Sequence, residues 1–367
     1  MIYLNTKKRY RNKELTGMNA IVKEHPGEDG TFFRTNIPEP EPGYGQVKIK
    51  VMAASICGSD VHALYNGAMA DRYHYPVVIG HEGAGVIVAV GEGVNTLKVG
   101  DRVTAETTLT ACHTCEYCRQ AETNMCADRQ GLGSAANGYF AQYCIAAESS
   151  CHKLSDSVSY EIGALAEPFT CAVHAACILS DPRPGDVVLV SGPGPIGTMV
   201  AAVAKLCGCV VVLSGITADK KRLEFAREHY QIDHVVDSMQ TDLKQYVNAL
   251  TEGRGADLVY ECSGSTPGIL SGLDICKRKG VYVAVGLHNG EIPLDYYNII
   301  YKKEITIQGD KSTSSISWVR AMRILNSGRI NLKPMVTHEI PMSRWLEGYE
   351  LSRSGEAMKV VMHPQEG

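Results

Sequence analysis

The 367-residue sequence contains no run of the roughly twenty uninterrupted apolar residues that a bilayer-spanning helix needs. A charged-then-apolar leader is also missing, because the opening residues are polar, and the expected location is therefore the cytoplasm. Charge of one sign is scarce: 36 Lys and Arg against 40 Asp and Glu leave a formal net charge of −4. So mild a field excludes recruitment of nucleic acid or an anionic membrane by bulk electrostatics and makes a small molecule the expected partner. No internal repeat or low-complexity tract is present. What is plentiful is glycine, at 36 residues, and cysteine, at 13, in an otherwise ordinary globular composition. In a reducing compartment so many thiols argue against a disulfide framework and leave metal ligation as the competing use.

At this length two domains are expected. Residues 1–17 are basic and polar and read as an extension. From 18 to 173, short β-branched runs such as Val47-Lys48-Ile49-Lys50-Val51 alternate with Gly/Pro turns, a β-rich texture. Between 174 and 312 strand and helix patterns alternate, which predicts a parallel sheet covered by helices. The remaining residues, 313–367, hold an amphipathic helix around Trp318–Asn326 and a last strand near Lys359-Val360-Val361-Met362, and are assigned back to the first domain.

Cys112, Cys115, Cys118 and Cys126 put four thiols on one short loop, close enough to enclose a tetrahedral ion. Four thiolates suit Zn²⁺ and leave no position for substrate, so the role expected is structural. A redox or incidental cysteine group and an iron–sulfur cluster are the alternatives. Further candidates are dispersed: Cys57 in Cys57-Gly58-Ser59-Asp60-Val61-His62, His81 in Gly80-His81-Glu82-Gly83, and Glu167 before Pro168. Singly, each reads as readily as a buried thiol or a loop histidine.

Taken in order, Cys57 through His62, Gly80 through Gly83, Gly100-Asp101-Arg102-Val103, the four-cysteine lobe and Glu167-Pro168 resemble the zinc-dependent medium-chain dehydrogenases. The similarity runs from Met18 to the C-terminus and leans to the polyol (sorbitol) and threonine dehydrogenase branches. It implies a GroES-like β-barrel catalytic domain and a second zinc, two per subunit, surrounded by Cys57, His81 and Glu167, with Glu82 a carboxylate that can exchange with Glu167. Such an open site lowers the pKa of an alcohol so that hydride can leave. Ser59 then corresponds to the hydroxyl that takes the substrate proton, His62 to the group that passes it to solvent, and Asp60 to the partner that orients His81. Ser59 capping a turn and His62 merely packing are the plainer readings.

The segment from Asp186 to Gly197 is a strand ending in Gly192-Pro193-Gly194-Pro195-Ile196-Gly197 and opening an apolar helix, which in this context predicts dinucleotide binding. Together these readings give an α/β chain, a GroES-like barrel plus a Rossmann doubly wound sheet, with NAD(P) as cofactor. The reaction expected is hydride transfer between NAD(P) and a secondary alcohol of a small polyol, sugar or hydroxy acid. A threonine-like amino-alcohol dehydrogenase and a non-catalytic, zinc-stabilised nucleotide-binding protein are the alternatives. Resemblance also implies a homodimer or homotetramer paired through the strand at Ile305-Thr306-Ile307. Where the polyol enzymes carry an Arg-Tyr pair, this chain has Gly309-Asp310-Lys311-Ser312, so an anionic substrate held by Lys311, with sorbitol a poor one, is expected.

The strand Val210–Leu213 runs into Ser214-Gly215-Ile216-Thr217 without the acid that NAD-requiring members place there, and Lys220 and Arg222 follow as candidate partners of a 2′-phosphate. NADP should accordingly serve at least as well as NAD. Steady-state kinetics with both cofactors decide it, and a tenfold or larger advantage for NAD in kcat/KM, about 1.4 kcal/mol, refutes it.

Overall fold

A computed structural model describes residues 17–65 and 70–366, so the expected extension lies outside the described residues except for Gly17, which opens the strand Gly17–Lys23. The barrel half is organised around the strand Gln46–Ser55. Val47, Ile49, Val51 and Ala53 are fully buried while Lys50 and Met52 keep partial exposure, the period of two that a pleated strand with one covered face requires. It pairs antiparallel with Glu82–Val90 and with Tyr143–Ala147, and Arg102–Ala105 and Cys151–Lys153 extend the sheet. On its other side the terminal strand Lys359–His363 joins by Val361↔Ser55 and Met362↔Ala54, and Val336–Pro341 then adds in parallel. A three-stranded sheet, ordered Thr31–Pro38, Gly17–Lys23, Val77–Val78, and a short ladder of Thr108–Thr110 with Gln130–Gly131 also belong to this half.

The second half is a six-stranded, wholly parallel sheet in the order His234–Asp237, Val210–Gly215, Val187–Ser191, Ala256–Glu261, Cys276–Ala284, Thr306–Gly309. Every residue of Val187–Ser191 is buried, as a central strand covered on both faces must be. Chain order runs outward from this strand in one direction and then, after a crossover, in the other. The crevice at the carboxyl ends of Val187–Ser191 and Ala256–Glu261 is therefore the topological switch point, where open α/β sheets bind their ligands.

The helix Ala166–Cys177 stitches the halves together. Its buried alanines pack in one hydrophobic body with Val188, Met199 and Tyr260 of the parallel sheet and its helix, with Trp318 and Met322 of the helix Ser315–Asn326, and with Ala53 and Ala84 of the barrel. No helix among the described residues is long and apolar enough to cross a membrane.

The turn after Val187–Ser191 is tightly constrained. Gly192 has φ 96°, and a Cβ on Gly197 would fall 1.9 Å from the Gly192 carbonyl oxygen. Gly197→Ala should therefore destabilise the protein by about 1–3 kcal/mol through overpacking and weaken dinucleotide binding in parallel. Thermal melts and fluorescence titration with reduced cofactor check both effects.

Candidate active site

The short helix Gly58–Tyr65 begins one residue after Cys57, at the end of Gln46–Ser55, and the paired strand Glu82–Val90 begins one residue after His81. Antiparallel pairing of Ser55 with Glu82 thus delivers Cys57, His81 and Glu82 to one place. One ligand atom of each lies within 4.8 Å of the others. Asp60 accepts a hydrogen bond from the Cys57 amide at 3.1 Å through Oδ2 and sets Oδ1 3.4 Å from His81 Nδ1. Burial works against a charged ring at His81, but the Asp60 carboxylate and the Cys57 thiol together hold its pKa well above the usual value.

Glu82 is fully buried. Its Oε2 accepts from Lys359 Nζ at 2.6 Å, Lys359 Nζ also donates to the Ile56 carbonyl at 2.7 Å, and Glu82 Oε1 has no partner. A buried carboxylate oxygen without a donor beside a thiol and an imidazole is a donor set that fits Zn²⁺. Glu167 comes from the start of Ala166–Cys177, outside that three-ligand group but close enough for Glu82 and His81 to act on it. Burial, reinforced by Glu82 and opposed by His81 and Lys359, pushes its pKa up to about 7.

Cys171 and His174 follow Glu167 on the same helix at spacings that share its face. Cys171 Sγ donates to Glu167 Oε1 at 3.7 Å, and His174 Nε2 stands 4.0 Å from Asp310 Oδ1. Asp310 follows the last parallel strand, its side chain 5% exposed, and burial with the neighbouring Glu167 pushes its carboxyl up to about 7. Ser59 and His62 sit on the helix Gly58–Tyr65, Ser59 half-buried and His62 exposed.

In the cysteine lobe all four Sγ atoms of Cys112, Cys115, Cys118 and Cys126 lie within 4.8 Å of one another. Backbone amides turn inward onto them: Cys115 N donates to Cys112 Sγ at 3.3 Å and Cys118 N to Cys115 Sγ at 3.5 Å. The Thr114 and Cys115 amides lower the Cys112 thiol to about 6, toward the thiolate a metal requires. The lobe also reaches the other half, since Asn124 Nδ2 donates to the Lys311 carbonyl at 2.9 Å.

At the nucleotide crevice Gly194 precedes the helix Pro195–Leu206, and a side chain there would meet nothing within 4 Å. That open approach to the helix N-terminus, with Pro195 and Ile196 in its first turn, is a cradle that fits a pyrophosphate. The neighbouring strand runs beyond Leu213. It extends to Gly215, and two acids lie near its end: Asp219 Oδ2 accepts from the Ile216 amide at 3.0 Å, and Asp237 Oδ2 accepts from Thr217 Oγ1 at 2.7 Å. Lys220 is exposed, whereas Arg222 is half-buried and donates Nη2 to the Ala357 carbonyl at 3.2 Å, engaged with the C-terminal segment rather than free. The Lys311 side chain is exposed. Sequence reasoning missed Lys359 and Asp310, neither of which stands in a motif.

Breaking the buried Glu82–Lys359 pair from one side strands a charge. Lys359→Met should lower stability by about 3–5 kcal/mol, and combining it with Glu82→Gln should recover part of the loss. Urea unfolding of the two variants measures this.

Residues 43–156 match the alcohol dehydrogenase GroES-like domain, and residues 195–327 the zinc-binding dehydrogenase domain. The chain is 43% identical to sorbitol dehydrogenase of Halalkalibacterium halodurans over 95% of its length and 99% of that protein's. It is 38% identical to D-arabitol-phosphate dehydrogenase of Enterococcus avium, covering 95% and 99%. L-threonine 3-dehydrogenase of Pyrococcus horikoshii is 34% identical, covering 94% and 98%. The solved structure of 2R,3R-butanediol dehydrogenase from Bacillus subtilis superposes with a TM-score of 0.84 at 30% identity, covering 95% of this chain and 99% of that one.

Proposed function

Since the chain belongs to the zinc-binding, GroES-like alcohol dehydrogenases and is an NAD(P)-dependent alcohol oxidoreductase, we propose that its reaction is the reversible oxidation of a secondary hydroxyl on a small polyol, sugar or hydroxy acid. The observation that carries this is the orphaned Glu82 Oε1 beside Cys57 and His81. Cys57 and His81 would hold the catalytic zinc with a carboxylate, Glu82 or Glu167, and the bound ion would lower the pKa of the substrate hydroxyl. Asp60 keeps the His81 ring oriented. Ser59 takes the hydroxyl proton and His62, exposed on the same helix, hands it to solvent. The turn Gly192–Gly197 would hold the dinucleotide's pyrophosphate, and the bound nicotinamide would supply the hydride acceptor. The lobe cysteines would hold a second, structural zinc whose closed thiolate shell offers substrate no position.

Subunits are proposed to associate through the outer parallel strand Thr306–Gly309, an edge with unpaired backbone groups and Ile307 46% exposed.

The expected metal content is two zinc ions per subunit. Cys57→Ala should lose one equivalent and nearly all turnover, while Cys115→Ala should lose the other and fall chiefly in stability. Elemental analysis beside thermal melts separates the two, and full zinc and turnover in Cys57→Ala would overturn the catalytic assignment.

A further inference from the structure

Apart from the Cys57 cluster and the cysteine lobe, a third group of metal-ligating side chains converges where the chain ends. Glu161, Glu339 and His363 each place one ligand atom within 4.8 Å of the others. They come from three separate elements: Glu161 from the helix Tyr160–Ala164, Glu339 from the strand Val336–Pro341, and His363 from the last position of Lys359–His363. Parallel pairing sets two of them together, because Glu339 lies opposite Val361 and His363 follows Val361 by two residues on the same face. His363 Nε2 stands 2.9 Å from Glu339 Oε2. The helix Tyr160–Ala164 packs on Gln46–Ser55, the strand to which Lys359–His363 is also paired, and brings Glu161 to the same place.

The imidazole is held as a ligand has to be. His363 Nδ1 lies 3.4 Å from the Met52 carbonyl, which can only accept, so Nδ1 carries a hydrogen and Nε2 keeps the ring's lone pair. Metal-binding histidines are fixed in this way, with the second ring nitrogen donating to a carbonyl or carboxylate. A lone pair and a carboxylate oxygen 2.9 Å apart repel unless a proton or a metal ion sits between them. One proton leaves a second carboxylate unbalanced. Neither Glu161 nor Glu339 has a Lys or Arg partner among the described residues, and the Glu161 carboxylate makes no hydrogen bond among them. The dipole of its helix favours an acid in the first turn but does not account for the convergence with Glu339 and His363. Two carboxylates and a neutral imidazole are balanced by one divalent cation.

We infer that Glu161, Glu339 and His363 bind a divalent transition-metal cation, zinc in preference to magnesium, at a site separate from the two described above. The imidazole supplies the preference, since Mg²⁺ selects oxygen ligands. Lys359 and His363 are opposite ends of one strand, so the site lies on the order of 13 Å from the Lys359–Glu82 contact at ~3.3 Å per residue. Three ligands, with Glu339 exposed, leave coordination positions to water and make this ion exchangeable. Once bound, it ties the last strand of the chain to the helix that leads into Ala166–Cys177.

The test is calorimetric titration of the full chain, holding its resident zinc and dialysed free of loosely held metal, with Zn²⁺ and with Mg²⁺. One zinc per subunit beyond the resident content should bind, at least about tenfold more tightly than magnesium. Glu161→Gln and His363→Asn should each weaken that binding about tenfold or more, the resident content of each variant being measured by elemental analysis. If His363→Asn does not fold, Glu339→Gln takes its place. Absence of the additional equivalent, equal affinity for magnesium, or unchanged zinc affinity in any one of these variants, which means an adventitious ion only, overturns the inference.

Discussion

The ion pair between Lys359 and Glu82 is the contact on which the catalytic half depends. Both side chains are withdrawn from water, and such a pair is stable only when geometry and hydrogen bonding are nearly complete. Here Lys359 satisfies Glu82 and the Ile56 carbonyl together, which fastens the last strand of the chain to the residues flanking Cys57 and His81. The antiparallel register of Lys359–His363 on Gln46–Ser55 holds the ammonium at that depth. Candidate metal ligands from the first quarter of the sequence are thus held in place by a residue near its end.

Much of this organisation could be read from residues close together in the chain. The four lobe cysteines and the turn Gly192–Gly197 are local devices whose spacing already encodes their geometry, and the strand period at Val47–Val51 appears as burial alternating along Gln46–Ser55. Cys57, His81 and Glu167 were proposed together only through family resemblance, because a cysteine, a histidine and a glutamate far apart have no spacing to interpret, and the group the fold brings within ligand distance is Cys57, His81 and Glu82. The convergence of Cys57 with His81 and Glu82 required the pairing of two strands.

Lys359 and Asp310 were illegible for a related reason. Each is an ordinary charged residue whose meaning comes from losing water after the chain has folded: Lys359 in a returning strand, Asp310 beyond the outer parallel strand. Arg222 shows the converse. Its position after Val210–Gly215 suggested a phosphate ligand, but the returning C-terminal segment brings the Ala357 carbonyl within its reach.

The helix Ala166–Cys177 has a consequence for how such enzymes can be recombined. It presents Ala172, Ala175 and Ala176 to a core shared by the parallel sheet, the helix Ser315–Asn326 and the barrel, so small side chains set the distance between the two halves. A chimera joined anywhere along this helix would have to reproduce that spacing to about the width of a methyl group, since close-packed interiors tolerate little change in volume. The same helix carries Glu167, Cys171 and His174, which meet one another and Asp310 near the candidate site. Exchange of nucleotide-binding halves between relatives is therefore constrained by the seam as well as by the cofactor, and the residues that govern modular exchange lie on the helix that also furnishes the site.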